Sequence, residues 1–157
     1  MDLPQANKTA REFLVGKPHG VISVAPDDTV LQALRVMAEK DIGAVLVMRG
    51  DSMVGILSER DCARKVDLKG RAAANTQVRE IMTEKIVFVT PADTMVQCMA
   101  LMKQRRIRHL PVVDGTKVIG MLSARDVLEE VIAEEEVALK DLQHERIFYG
   151  GNTGGSY

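Results

Sequence analysis

Residues Pro26 to Asp61 match Pro91 to Asp126 without gaps at a constant offset of 65, and thirteen of the thirty-six aligned positions are identical. Chance would give about two in ordinary composition, so the chain contains a duplicated unit. The identities form two clusters. Pro26, Asp28, Thr29 and Gln32 match Pro91, Asp93, Thr94 and Gln97, and Gly55, Leu57, Ser58, Arg60 and Asp61 match Gly120, Leu122, Ser123, Arg125 and Asp126. Upstream, after a shift, Ala10-Arg11-Glu12-Phe13-Leu14 resembles Val78-Arg79-Glu80-Ile81-Met82, which leaves three extra residues in the first copy around Lys17-Pro18-His19.

Each copy reads as strand, helix, strand, strand, helix. In the first, Val21 to Val24 is apolar and β-branched, and Pro26-Asp27-Asp28-Thr29 supplies a turn and an N-cap before Val30, Leu34 and Met37 at helical spacing. Gly43 to Met48 and Met53 to Leu57 are short apolar runs around a hairpin signal, and Ser58 caps a helix to about Val66. The second copy repeats this with strands at Ile86 to Val89, His109 to Val113 and Lys117 to Leu122 and helices at Thr94 to Gln104 and Ser123 to about His144. Asp67 to Gln77, rich in small and polar residues, reads as a linker, and the glycine-rich tail 147–157 as disordered. The expected units are 10–66 and 78–146.

A chain of 157 residues buries about 70% of its unfolded surface and needs no staple. With 46% apolar and 27% charged residues the composition is that of a soluble globular protein, without a run of the roughly 18 apolar residues a membrane span requires. The start carries Asp2 and Glu12 and no apolar core, so it does not read as a signal peptide, and a cytoplasmic location is the expectation. Cys62 and Cys98, without a CxxC or nearby His pair, read as small buried hydrophobes. A net charge of −1 and 3% aromatic residues disfavour a nucleic-acid binder.

The segments Gly55-Ile56-Leu57-Ser58-Glu59-Arg60-Asp61 and Gly120-Met121-Leu122-Ser123-Ala124-Arg125-Asp126 are the most informative. In each a strand ends at a Ser that opens a helix, a natural seat for an anion. The Asp three residues on can accept from two adjacent hydroxyls, as a ribose offers, and the Arg before it can meet phosphate bidentately. Ser-x-x-Asp is equally a capping box with no further meaning. Its recurrence with the same Arg in both copies favours a ligand.

These motifs, with Arg108-His109-Leu110-Pro111-Val112-Val113-Asp114, resemble a tandem pair of cystathionine β-synthase (CBS) domains, a Bateman module, over about Ala10 to Ile132. The resemblance implies an α+β architecture, two pseudo-symmetric βαββα units packed as one module. It implies no catalytic function, a stand-alone regulatory role toward an unidentified protein, pairing into a homodimer, and two clefts for adenine nucleotides such as AMP, ATP or NAD. No catalytic cofactor is called for, and Mg²⁺ enters only as the companion of ATP. Carried over residue by residue, one cleft uses Ile56, Ser58, Arg60 and Asp61 with Lys85, Ile86, Val87 and Ile107. The other uses Met121, Ser123, Arg125 and Asp126 with Gly20, Val21, Ile22 and Ile42. Arg108 and His109 stand where family members point basic side chains at phosphates, and the first copy has only Gly43 and Ala44 there.

Several of these residues have a plainer reading. The apolar members fit a sheet core equally well. Lys103 and Arg105 suit a solvated helix end, and Met95, Met99 and Met102 recur at core spacing. His19, His109 and His144 are scattered, so no metal cluster is expected, although His109 can tune phosphate affinity near neutral pH. A dimerisation unit with empty clefts is the alternative to a nucleotide sensor.

Overall fold

The structure is a computed structural model, and it describes residues 8–17 and 20–133. In chain order its elements are α1 (Ala10–Val15), β1 (Ser23–Val24), α2 (Val30–Lys40), β2 (Ala44–Arg49), β3 (Ser52–Ser58), α3 (Glu59–Lys65), α4 (Val78–Ile81), α5 (Met95–Arg105), β4 (His109–Asp114), β5 (Lys117–Ser123) and α6 (Ala124–Ala133). The two copies are alike in detail. Thr29 and Thr94 cap α2 and α5 through reciprocal bonds with Gln32 and Gln97. Both hairpins slip register at the same repeat position, between Val47 and Met48 and between Val112 and Val113. The expected continuation of the last helix to His144, and the tail, lie outside the described residues.

The packed bodies differ from the sequence copies by one exchanged helix. Ala10, Phe13 and Leu14 of α1 sit in the core of the second copy, with Met95, Cys98, Leu110 and Leu122. Val78, Ile81 and Met82, in and just after α4, sit in that of the first, with Val30, Met37, Val45 and Leu57. Matching backbone bonds lock each arrangement. Ala10 N–H donates to Asp93 at 2.8 Å and Met95 N–H to Lys8 at 2.8 Å, while Val78 N–H donates to Asp28 at 2.8 Å and Val30 N–H to Thr76 at 2.8 Å. The segment between the copies is accordingly structured at its end: it forms 3-10 turns at Asp67–Lys69 and Ala73–Asn75, and Thr76 is buried, its hydroxyl donating to Ala72 at 2.8 Å.

One expected strand is missing. β1 pairs parallel with β2, but at Ile86 to Val89 only Val89 forms a bridge, to Val112. The cause is Pro111. In the first copy Leu46 N–H donates to the Ile22 carbonyl at 3.3 Å; Pro111 stands at Leu46's repeat position and has no N–H for Val87. The ladder therefore cannot extend upstream. In the first copy too the strand is shorter than Val21 to Val24, beginning at Ser23.

Close approach across the exchanged helices requires glycine at two points. A Cβ on Gly55 would stand 2.6 Å from Met82 Sδ, and one on Gly120 2.7 Å from Leu14 Cδ2. We therefore expect Gly55→Val to destabilise the chain by about 1–3 kcal/mol, as overpacking does. Met82→Ala in the same chain should recover part of that loss in urea unfolding. Strictly additive effects of the two substitutions would show that α4 does not pack there.

Candidate functional site

Both Ser-x-x-Asp segments form capping boxes. The Ser58 hydroxyl accepts from Asp61 N–H at 3.1 Å, and Asp61 Oδ2 accepts from Ser58 N–H at 3.2 Å and from its hydroxyl at 3.0 Å. In the second copy Asp126 N–H donates to Ser123 Oγ at 3.1 Å and Ser123 N–H to Asp126 Oδ2 at 2.9 Å. Capping uses only Oδ2. The other oxygen, Oδ1, meets a lysine ammonium in each copy, Lys65 at 3.2 Å on Asp61 and Lys17 at 2.5 Å on Asp126, so the cap leaves one carboxylate oxygen for a second contact.

Around Asp61 the copies enclose a cavity of about 410 Å³, within the range of small-molecule sites. Ile56, Ser58, Arg60 and Asp61 line it from the first copy, and Lys85, Ile86, Val87, Ile107, Arg108 and His109 from the second. All the residues expected for this cleft thus meet at one place. Gly43, Glu59, Thr83 and Arg106 also line it and were not expected there. Arg106 caps α5 in the left-handed region at φ 54°, as Asp41 caps α2 at φ 53°; the basic run after Lys103 was its signal, but not which of its side chains face the cleft. Arg60, Lys85, Arg106 and Arg108 stand against Glu59 and Asp61, so the lining is net positive. Lys103 and Arg105 are exposed on the helix end.

The missing strand matters here. Ile86 and Val87 hold no backbone hydrogen bond among the described residues, and they lie beside the cavity with peptide groups free to meet a ligand. The apolar members also serve the cores: Ile22 and Ile42 pack on the first, Val87 and Ile107 on the second.

The cleft around Asp126 is different. None of its expected residues lines the cavity of about 410 Å³ or the adjoining one of about 440 Å³ bounded by Met99, Met102, Lys103 and Leu128. Asp126 Oδ1 is 2.5 Å from Lys17 Nζ. Burial opposes its ionisation, but the bonds from Lys17 and Ser123 hold its carboxyl below the ordinary carboxylate range. Arg125, expected among the ligand contacts of this cleft, pairs with Glu129 at 3.1 Å along its own exposed helix face, one turn on. Burial pushes the Cys62 and Cys98 thiols up to about 11, with neighbouring carboxylates adding to the effect, so neither is a reactive thiolate. Among the described residues no His, Cys, Asp and Glu group is arranged to hold a metal, and no helix is long and apolar enough to cross a membrane.

His109 lies where the two copies meet, lining the cavity with Gly43. A Cβ on Gly43 would be 3.5 Å from its Nε2, an ordinary contact distance, so the ring packs beside Gly43 of the first copy. Burial lowers the pKa of His109 below its ordinary 6.5, Asp126 opposing and Arg108 assisting.

The sequence model of the CBS domain matches residues 18–67 and 78–133. The chain belongs to the CBS domain family, and carries two such domains in tandem, an arrangement typical of regulatory and signal-transduction modules rather than of catalysts. It is 39% identical over 121 residues to the mitochondrial CBS domain-containing protein CBSX3 of Arabidopsis thaliana, covering 74% of this chain and 59% of that one. To YhcV of Bacillus subtilis it is 30% identical over 129 residues, covering 81% and 91%. A crystal structure of a protein with CBS domains from Burkholderia ambifaria is 42% identical, covers 88% of this chain and 98% of its own, and superposes with a TM-score of 0.75. The chain spans less than two thirds of the plant relative's length.

The half-buried imidazole sets a pH dependence. With a lowered folded value, the unfolded chain binds the proton more readily, so stability is full above pH 6.5 and falls as pH drops below it. The stability advantage of the native chain over His109→Gln should therefore shrink between pH 7.5 and 5.5 in paired urea melts. A constant difference would mean the ring is not held neutral.

Proposed function

We propose that the chain is a regulatory module that binds an adenine nucleotide in the Asp61 cleft and passes its occupancy to a partner protein. The observation that carries this is the convergence of ribose-, phosphate- and adenine-type groups from both copies on one cavity of about 410 Å³. Asp61 supplies the carboxylate for a ribose diol, its Oδ1 shared with Lys65 at 3.2 Å. Ile56, Ile86, Val87 and Ile107 form an apolar slot for a base, with the free Val87 carbonyl to accept from an exocyclic amine. Arg60, Lys85, Arg106 and Arg108 supply charge-assisted contacts to phosphates, which favours ATP over adenosine; AMP and NAD fit the same chemistry, with Mg²⁺ entering only with ATP. The cytoplasm remains the location we assign to it.

Pairing into a homodimer is supported by the face of α5 and α6, where Val96, Met99, Leu128 and Ile132 are 39%, 39%, 54% and 43% exposed. At the matching first-copy positions Leu31 and Leu34 are half-buried, and only the small Ala63 and the charged Asp67 are exposed. A stable pairing should bury over about 1,000 Å², and light scattering at micromolar concentration should report a dimer; a monomer with and without nucleotide would overturn it.

Calorimetry tests the ligand. Asp61→Ala should weaken ATP binding about tenfold to a hundredfold, the cost of one charged hydrogen-bond partner. Arg108→Ala should lower the preference for ATP over adenosine. Absence of any nucleotide binding by the native protein would leave the dimerisation unit with empty clefts as the better reading.

A further inference from the structure

The two clefts are built from the same repeat, yet the chain leading into each takes a different path. Leu14 and Met82 occupy matching places, each against the glycine of a facing strand, and three residues beyond them stand Lys17 and Lys85. After α4 the chain turns extended and Thr83 exchanges backbone bonds with Ile56 at 2.9 and 3.0 Å, which leaves Lys85 lining the first cavity. After α1 the backbone stays helical: Gly16 N–H donates to Phe13 at 3.2 Å and Lys17 N–H to Leu14 at 3.1 Å. Val15, at the place of Thr83, is 82% exposed and makes no such bridge. That path carries Lys17 to Asp126. Its ammonium is held there from both sides, by Asp126 Oδ1 at 2.5 Å and by the Phe13 ring, whose centroid is 4.9 Å away. The second copy has Ile81 where Phe13 stands, so Lys85 has no ring to rest on.

We propose that Lys17 is the residue that decides which cleft takes ligand: it occupies the diol-binding oxygen of Asp126 and closes the second cleft, so that the chain binds one nucleotide, at Asp61. This rests on the nucleotide reading of the Asp61 cleft. Asp61 Oδ1 also has a lysine, Lys65 at 3.2 Å, but that ammonium is farther off, lies one turn along the same helix, is shared with the Ile81 carbonyl at 2.9 Å and does not line the cavity. Lys17 comes from the opposite wall. The Ile22 carbonyl, counterpart of the free Val87 carbonyl, is likewise taken, by Leu46 N–H. Both polar functions that would hold a nucleoside in the second cleft are thus satisfied internally. A ligand there must displace a charged partner, which lowers its apparent affinity by about tenfold to a hundredfold.

Titration calorimetry of the full chain with AMP reads this directly. The native protein should bind one AMP per chain, and Asp61→Ala should abolish that event. Lys17→Met should bind two, the second lost again in Lys17→Met with Asp126→Ala. Two equal sites in the native protein, or a stoichiometry of one in Lys17→Met, would overturn the proposal while leaving the Asp61 site standing. Binding by no variant would overturn the nucleotide reading and this proposal with it. A ligand-free measurement separates the two: followed by carboxyl carbon NMR, the Asp126 titration midpoint should rise in Lys17→Met toward the ordinary value of about 4. An unmoved midpoint would mean that Lys17 does not hold the carboxylate.

Discussion

Neither copy can close its own core. Each presents a hairpin and two helices around a sheet of only two or three strands, and a buried position on that sheet stays uncovered until the helix preceding the other copy is laid on it. Such a small sheet buries too little apolar surface to stand alone. The exchange of α1 and α4 therefore does more than complete two cores. It fixes the copies face to face, with the strand-to-helix junction of each opposite the chain that leaves the helix borrowed from the other. The cavity beside Asp61 follows from that geometry, because Lys85 to Val87 are simply the residues that run out of α4 after it has packed under β3.

The same junction explains how a stability device becomes a site. A reciprocal Ser and Asp cap satisfies two N–H groups at a helix start and needs one carboxylate oxygen to do so. The second oxygen is held in place at no further conformational cost, since the cap has already ordered the side chain. A capping box and a ligand contact are thus not rival interpretations of Ser58 and Asp61. What separates an inert cap from a usable one is the company of the second oxygen, and the two copies differ there: a cavity lined with cations and Lys65 of the same helix in one, the Lys17 ammonium from the facing wall in the other.

Local pattern carried most of the fold. The caps at Thr29, Thr94 and Ser58, the hairpins and the α5 boundary all follow from residues within one turn or one strand of each other, and there sequence and structure agree within a residue or two. The misses share another origin. The strand at Ile86 to Val89 failed because its partner, Pro111, lies more than twenty residues away and lacks the donor. Which core α1 enters, which oxygen of Asp126 Lys17 meets, and whether Arg125 faces a cleft or Glu129 all depend on contacts between segments distant in sequence. Repeat arithmetic also misled in one respect. The offset of 65 aligns Gly20 with Lys85, whereas the helices align Lys17 with it, and the three added residues hide that second correspondence.

A duplicated chain begins with two equal clefts, and here a few side chains break the equality at its centre. His109 packs beside Gly43, and at the repeat positions of Arg108 and His109 the first copy has Gly43 and Ala44. The asymmetry is also electrostatic. Asp126 belongs to the second cleft yet favours the charged form of His109, which lines the first, while Arg108 disfavours it. The protonation of His109 thus depends on residues of both clefts. Duplication supplies the scaffold, and it is the unpaired substitutions where the copies meet that give the two halves different chemistry.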